Sequence, residues 1–170
     1  MEARSALSDT AGDVDGVLAG LERDPPISQE ALAGLIEHVA RTYETRLPDD
    51  YVAFLRTANG ADGHLANGIP IALWSAEVLP EANLLEGSPW LPGCLVIGSD
   101  TGDTVYAIDM REDAPPERYL ESEDVGLDWD YIFWRGGTFA SLLAHLSAAL
   151  DPEPPKRGLR NALGRALRRS

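Results

Sequence analysis

Three histidines, one cysteine and 28 carboxylates are the side chains of this 170-residue chain that could ligate a metal or move a proton. His38, His64 and His145 stand far apart, and no His-Glu-x-x-His pair occurs, so zinc hydrolysis is not expected. His38 and His145 fall in helical segments, where a surface or core-edge role is expected, and His64 lies in a Gly-rich loop near Asp62. A lone Cys94 excludes an intramolecular disulfide and an all-cysteine metal site. Beside Leu95-Val96-Ile97 it reads as a small buried hydrophobe, not a reactive thiol. Gly98-Ser99-Asp100-Thr101-Gly102 has the glycines of a phosphate loop but no lysine, and Asp100 and Asp103 would repel a phosphate. The same aspartates lack the alternating spacing of a calcium loop. No Gly-x-Ser-x-Gly elbow is present. No catalytic residue, cofactor or metal is expected, and the chain reads as a non-enzyme.

Charge suggests a different kind of function. The net charge is −14 and is unevenly spread: residues 1–150 carry 26 acidic and 8 basic side chains, whereas residues 151–170 carry 2 acidic and 6 basic ones. An acidic body repels nucleic acid and anionic lipid and attracts a basic partner from a distance, although solubility alone is the plainer account of such charge. From Glu112 to Trp134 the carboxylates are interleaved with Tyr119, Trp129, Tyr131 and Trp134. Rings supply buried contact area and carboxylates pair with Arg or Lys, a combination suited to recognising a basic protein. The plainer alternative makes Trp129, Tyr131 and Phe133 core residues of a strand beside a solvated acidic loop. With the turn aspartates added, the candidate partner-binding residues are Asp100, Asp103, Glu112, Asp113, Glu121, Glu123, Asp124, Asp128, Trp129 and Asp130.

The elements that must position these residues follow from periodicity. Residues 1–12 read as disordered, and a leading helix begins at Asp13, with Val14, Val17, Leu18 and Leu21 at helical spacing and Pro25-Pro26 as its stop. Ser28 caps a second helix with Leu32, Leu35, Ile36, Val39 and Tyr43 along one stripe. A third starts at Pro48, with Asp49 and Asp50 favourable near its positive end, turns Tyr51, Phe54, Leu55 and Ala58 inward, and stops at Asn59-Gly60. The period then changes to that of strands: 69–74, 95–98, 104–109 and 119–121, with a short helix near 75–85 and a hairpin across 99–103. Alternation at Trp129, Tyr131 and Phe133 predicts a further strand or an extended edge segment. Thr138 caps a last helix bearing Phe139, Leu142, Leu143, Leu146 and Leu150. This order predicts a single α+β domain over 13–150, a mostly antiparallel or mixed sheet flanked by helices.

After Pro152, Pro154 and Pro155, the tail 151–170 places Leu159, Leu163, Ala166 and Leu167 between arginines. It could dock on its own acidic body, bind a membrane or nucleic acid, or fray; Gly158 and Gly164 disfavour a membrane helix. No apolar run is long enough to span a membrane and no signal core precedes the first helix, so a cytoplasmic protein is expected.

Leu47-Pro48-Asp49-Asp50-Tyr51, Phe54-Leu55, Asn59-Gly60, Leu79-Pro80-Glu81-Ala82-Asn83, Pro92-Gly93-Cys94-Leu95-Val96-Ile97-Gly98-Ser99-Asp100, Thr104–Asp109 and Gly137-Thr138-Phe139 follow one another in an order that resembles the SUKH superfamily over about Ser28 to Leu150. The resemblance implies an α+β fold without catalytic residues or cofactor. It also implies an immunity protein that neutralises a toxin by tight binding, or, in the alternative, a regulatory or scaffolding interaction module. It makes Leu47, Pro48, Tyr51, Phe54, Leu55, Gly60, Ile97, Gly98 and Asp100 structural. It transfers no binding residue, because partner surfaces in the superfamily diverge.

Overall fold

The local signals read in the sequence recur as the caps and turns of a computed structural model that describes residues 14–83, 93–123 and 129–148. Among these residues are helices α1 (Gln29–Tyr43), α2 (Asp49–Thr57), α3 (Leu79–Ala82) and α4 (Phe139–Ser147). The strands are β1 (Glu22–Arg23), β2 (Ala61–His64), β3 (Pro70–Leu73), β4 (Cys94–Ser99), β5 (Thr104–Asp109), β6 (Tyr119–Glu123) and β7 (Ile132–Gly136). They form one sheet in chain order, β1-β2-β3-β4-β5-β6-β7, with every neighbouring pair antiparallel. The fold is α+β, as expected.

Capping fixes the helices where the sequence places them. The Ser28 hydroxyl accepts from the Ala31 amide at 3.1 Å, and Thr138 and Ser141 satisfy each other's amides in a reciprocal box at the start of α4. Leu35 and Val39 of α1, Tyr51, Phe54 and Leu55 of α2, and Phe139, Leu142 and Leu143 of α4 pack on one sheet face made by Leu95, Ile97, Tyr106, Ile108 and Tyr119. Phe139 sits among three rings, 4.6 Å from Phe54 between centroids and within 6.0 Å of Tyr51 and Tyr119. The carboxylate of Asp50 joins these layers: one oxygen accepts the Tyr119 hydroxyl and the other the Phe139 amide, both at 2.6 Å.

Strands β3 and β4 pair at Ala72↔Ser99 and Leu73↔Gly98, and the Trp74 amide donates to the Ile97 carbonyl just beyond. A Cβ on Gly98 would stand 2.3 Å from the Ala72 carbonyl oxygen, so the two backbones approach there only because residue 98 is glycine. Upstream, β4 loses β3 as a partner and the Asn83 side chain substitutes for it. Its oxygen accepts from the Val96 amide at 2.9 Å and its nitrogen donates to the Val96 carbonyl at 3.0 Å. Gly60, with φ +110°, lets the end of α2 turn into β2, where a Cβ would meet the Leu73 carbonyl at 2.7 Å.

Four local expectations need correction. The leading helix covers 14–18 among the described residues and ends well before Pro25, because Glu22 and Arg23 pair with Asp62 and Ala61 as β1. Strand β2 was not expected; its Ala-Asp-Gly-His sequence has no strand pattern and is held by register with β3. Ile36, placed in the inward stripe of α1, is 42% exposed, since the sheet reaches only the Leu35/Val39 side. Trp129–Tyr131 is a 3₁₀ turn, and the strand begins at Ile132, with Phe133 the extra residue of a β-bulge opposite Glu121 and Ser122. Leu150 lies outside the described residues.

Asn83→Ala removes both partners of the Val96 backbone in a buried strand. We expect a loss of about 2–4 kcal/mol in chemical denaturation with an unchanged m-value. The exposed mid-helix change Gly34→Ala, with nothing within 4 Å of its new Cβ, should stabilise by roughly 0.5–1 kcal/mol.

Candidate interaction surface

The turn between β4 and β5 is built by Asp100. Its Oδ1 accepts from the Gly102 amide at 2.8 Å and the Thr104 amide at 3.1 Å, while Thr101 takes the left-handed conformation with φ 65°. Asp103 is left exposed at the tip. Thr104 pairs with Glu123 across β5 and β6, so Asp100, Asp103 and Glu123 gather at one end of the sheet. Glu112 and Asp113 are exposed just beyond the other end of β5. The candidate carboxylates therefore form two groups at opposite ends of the central strands. Asp124 and Asp128 lie outside the described residues, and Asp130 is exposed on the 3₁₀ turn.

Glu121 is mostly turned inward. It accepts from Nε2 of His145 on α4, and the imidazole stacks on Trp134 with ring centroids 4.4 Å apart and planes 6° from parallel. Burial lifts the Glu121 carboxyl above its ordinary range, His145 opposes that, and the charge of Asp100 adds to it. Residues 121 and 145 are 24 apart in the chain, so no local pattern links them.

The second face of the sheet carries Cys94, Val96, Val105, Ala107 and Leu120, with Trp129 and Ile132 packed on them. Asp109, in phase with Val105 and Ala107, is fully buried there. Its carboxylate accepts from Arg111 at 2.9 and 2.7 Å and from Arg135 at 3.4 Å. The Arg111 guanidinium lies 3.5 Å from the centre of the Trp129 ring. Trp129 is thus held against a structural arginine at the edge of a core cluster, and its partly buried ring closes the apolar face. Cys94 faces the same cluster. Burial, reinforced by the charge of Asp109 and opposed by the arginines, pushes its thiol up to about 12, so it stays protonated at neutral pH.

Among the described residues no group of three His, Cys, Asp or Glu side chains is placed to hold a metal ion, and no helix is long and apolar enough to cross a membrane. What the exposed carboxylates can do is present fixed negative charge at two ends of a rigid sheet.

Desolvation alone would raise the pKa of Asp109, but the two arginines outweigh it and hold the carboxyl below its ordinary value. A depressed folded-state pKa gives stability that is present above pH 3.8, the ordinary value, and is lost as pH falls through the depressed one. We expect Asp109→Asn to lose roughly 3 kcal/mol at pH 7, with the deficit shrinking towards pH 2 in denaturation curves. A pH-independent deficit would show that the charge of Asp109 is not what matters.

Comparison with known proteins agrees with this architecture. None of the curated protein sequences compared with the chain is significantly similar to it. The family model described as SMI1/KNR4 (SUKH-1) matches residues 26–145, from just before α1 to the His145 that pairs with Glu121. The chain belongs to the SMI1/KNR4 family, SUKH-1.

Proposed function

We propose that this chain is an immunity protein that neutralises a cognate, basic bacterial toxin in the cytoplasm by direct, non-catalytic binding through its acidic surface. The observation that carries the reading is the placement of Asp100, Asp103 and Glu123 together at one end of the sheet in a member of a family with immunity and regulatory modules. The hairpin tip and the end of β6 are held by strand pairing and by the Asp100 turn, so the carboxylates are pre-ordered for a partner. Fixed charge of one sign accelerates encounter with a partner of the other sign and disfavours wrong partners. If the toxin is a nuclease, its substrate groove is basic, and these carboxylates occupy it as phosphates would. Glu112 and Asp113 form a second contact group at the opposite end, and Asp124, Asp128, Trp129 and Asp130 belong to the same proposal.

The experiment is co-expression with the protein encoded beside this gene, followed by binding kinetics. Growth rescue with a stable complex is expected. The pair Asp103→Lys and Glu123→Lys should slow association by roughly tenfold at low salt, with a much smaller change in dissociation. The pair Glu112→Lys and Asp113→Lys tests the opposite end, and an effect there alone moves the interface to that end. A harmless neighbour and several moderate-affinity partners would favour a regulatory or scaffolding module.

A further inference from the structure

Among the described residues strand β7 is an outer edge of the sheet and pairs with β6 alone. Edge strands in stable proteins are covered, charged or bent away. The bulge at Phe133 bends this one, but β7 has no lysine or proline, its arginine is turned in to Asp109, and Phe133 stands 53% exposed. Next to that ring, Ile132 pairs with Ser122 and Glu123 with Thr104, so Phe133 sits two strands from Asp103. The corner therefore puts an exposed aromatic ring at the same end of the sheet as Glu123 and Asp103.

The described chain leaves the fold at the same end of the sheet, but beside the β2–β3 turn. Helix α4 starts beside Tyr119 and runs towards Glu123, with His145 stacked on Trp134, the neighbour of Phe133. Asn67 fixes its end by donating to the carbonyls of Leu146 and Ala148, both at 2.9 Å. Ala148 is three residues past His145, about 5 Å further along a helix axis. The 22 residues 149–170 that leave from there include Lys156, Arg157, Arg160, Arg165, Arg168 and Arg169, with Leu159, Leu163, Ala166 and Leu167 between them. By residue 159 the chain reaches up to about 36 Å, so distance sets no limit.

We propose that the C-terminal segment 149–170 docks in cis on the β7 corner, its leucines against Phe133 and its arginines on Glu123 and Asp103. Charge complementarity selects this surface: the segment is the basic part of an acidic chain, and it leaves the fold at the end of the sheet that carries these carboxylates, away from Glu112 and Asp113. The other apolar groove, between α1 and α2 and lined by Ile27, Leu32, Ile36 and Arg56, offers arginine and no carboxylate. The docking does not depend on the existence of a toxin.

The test uses the full-length chain carrying Asn161→Cys with a nitroxide label, since Cys94 is buried and stays unlabelled. Paramagnetic broadening of the Glu123, Ile132, Phe133 and Trp134 amides is expected at low salt, and its loss at about 1 M salt, where screening length falls to about 3 Å. Arg165→Glu, Arg168→Glu and Arg169→Glu together should abolish it without changing the remaining spectrum. No broadening, or broadening centred on Ile36 or on Glu112 and Asp113, overturns the proposal. Labelled chains mixed with isotope-enriched unlabelled ones distinguish the other occupant: broadening between copies makes it a second copy and also overturns docking in cis.

Discussion

A carboxylate on the first turn of α2 sets how the helices meet the sheet. Asp50 receives the Tyr119 hydroxyl from β6 and the Phe139 amide from the start of α4, and so joins three elements that are distant in sequence. Phe139 carries an otherwise unpaired N-terminal amide, and an anion at that position is favoured by both the hydrogen bond and the helix dipole. The Tyr119 phenol is buried, and burial together with the charge of Asp50 makes its ionisation harder still, so it remains a donor. With Phe139 placed, its ring fills the space among Tyr51, Phe54 and Tyr119, and α4 lies along β6 and β7. The direction of α4 then decides that His145 reaches Glu121 and that the end of the helix meets Asn67 of the β2–β3 turn.

The other sheet face is organised around a second carboxylate. A buried ion tolerates the loss of water only when its hydrogen-bonding capacity is met, and Asp109 has two arginines for this. Arg111 extends the network to Trp129 and so closes the sheet face with an aromatic ring. The consequence for function is a division of labour among acidic residues. Asp50 and Asp109 hold the fold, Asp100 shapes a turn, and Glu121 is engaged with His145. Asp103, Glu112, Asp113 and Glu123 extend outward from this frame, and rigid placement keeps the entropic cost of ordering them low when a partner arrives.

The sequence was legible where the signal is local. Ser28, Thr138, the Pro48-Asp49-Asp50 start and the 99–103 turn each act within a few residues, and all recur in the structure. Leu47, Tyr51, Phe54, Leu55 and Ile97 are buried, and Gly60 and Gly98 sit where a side chain would collide with backbone, as the family resemblance implied. Strands β1 and β2 were hidden because pairing, β2 with β3 and β1 with β2, and not residue type, makes them strands. The stretch 129–133 misled because a 3₁₀ turn and a bulge can present the same alternation as a strand. For the candidate surface, composition showed that the chain is acidic but not which acids are engaged. One signal was there to be read: Asp109 continues the alternation of Val105 and Ala107, which marks a carboxylate on an apolar face. Its arginine partner 26 residues away left no such trace.

The proposed function is that of a protein that works by occupying a surface rather than by turning over a substrate. That distinction has a stoichiometric signature. The most direct measurement is a titration of the purified toxin's activity with this chain at protein concentrations well above the dissociation constant. The account predicts a linear fall that ends at one chain per toxin, with full activity recovered when the complex is dissociated. Inactivation by a small fraction of an equivalent, or a toxin that stays inactive after separation, would contradict it and point to catalysis.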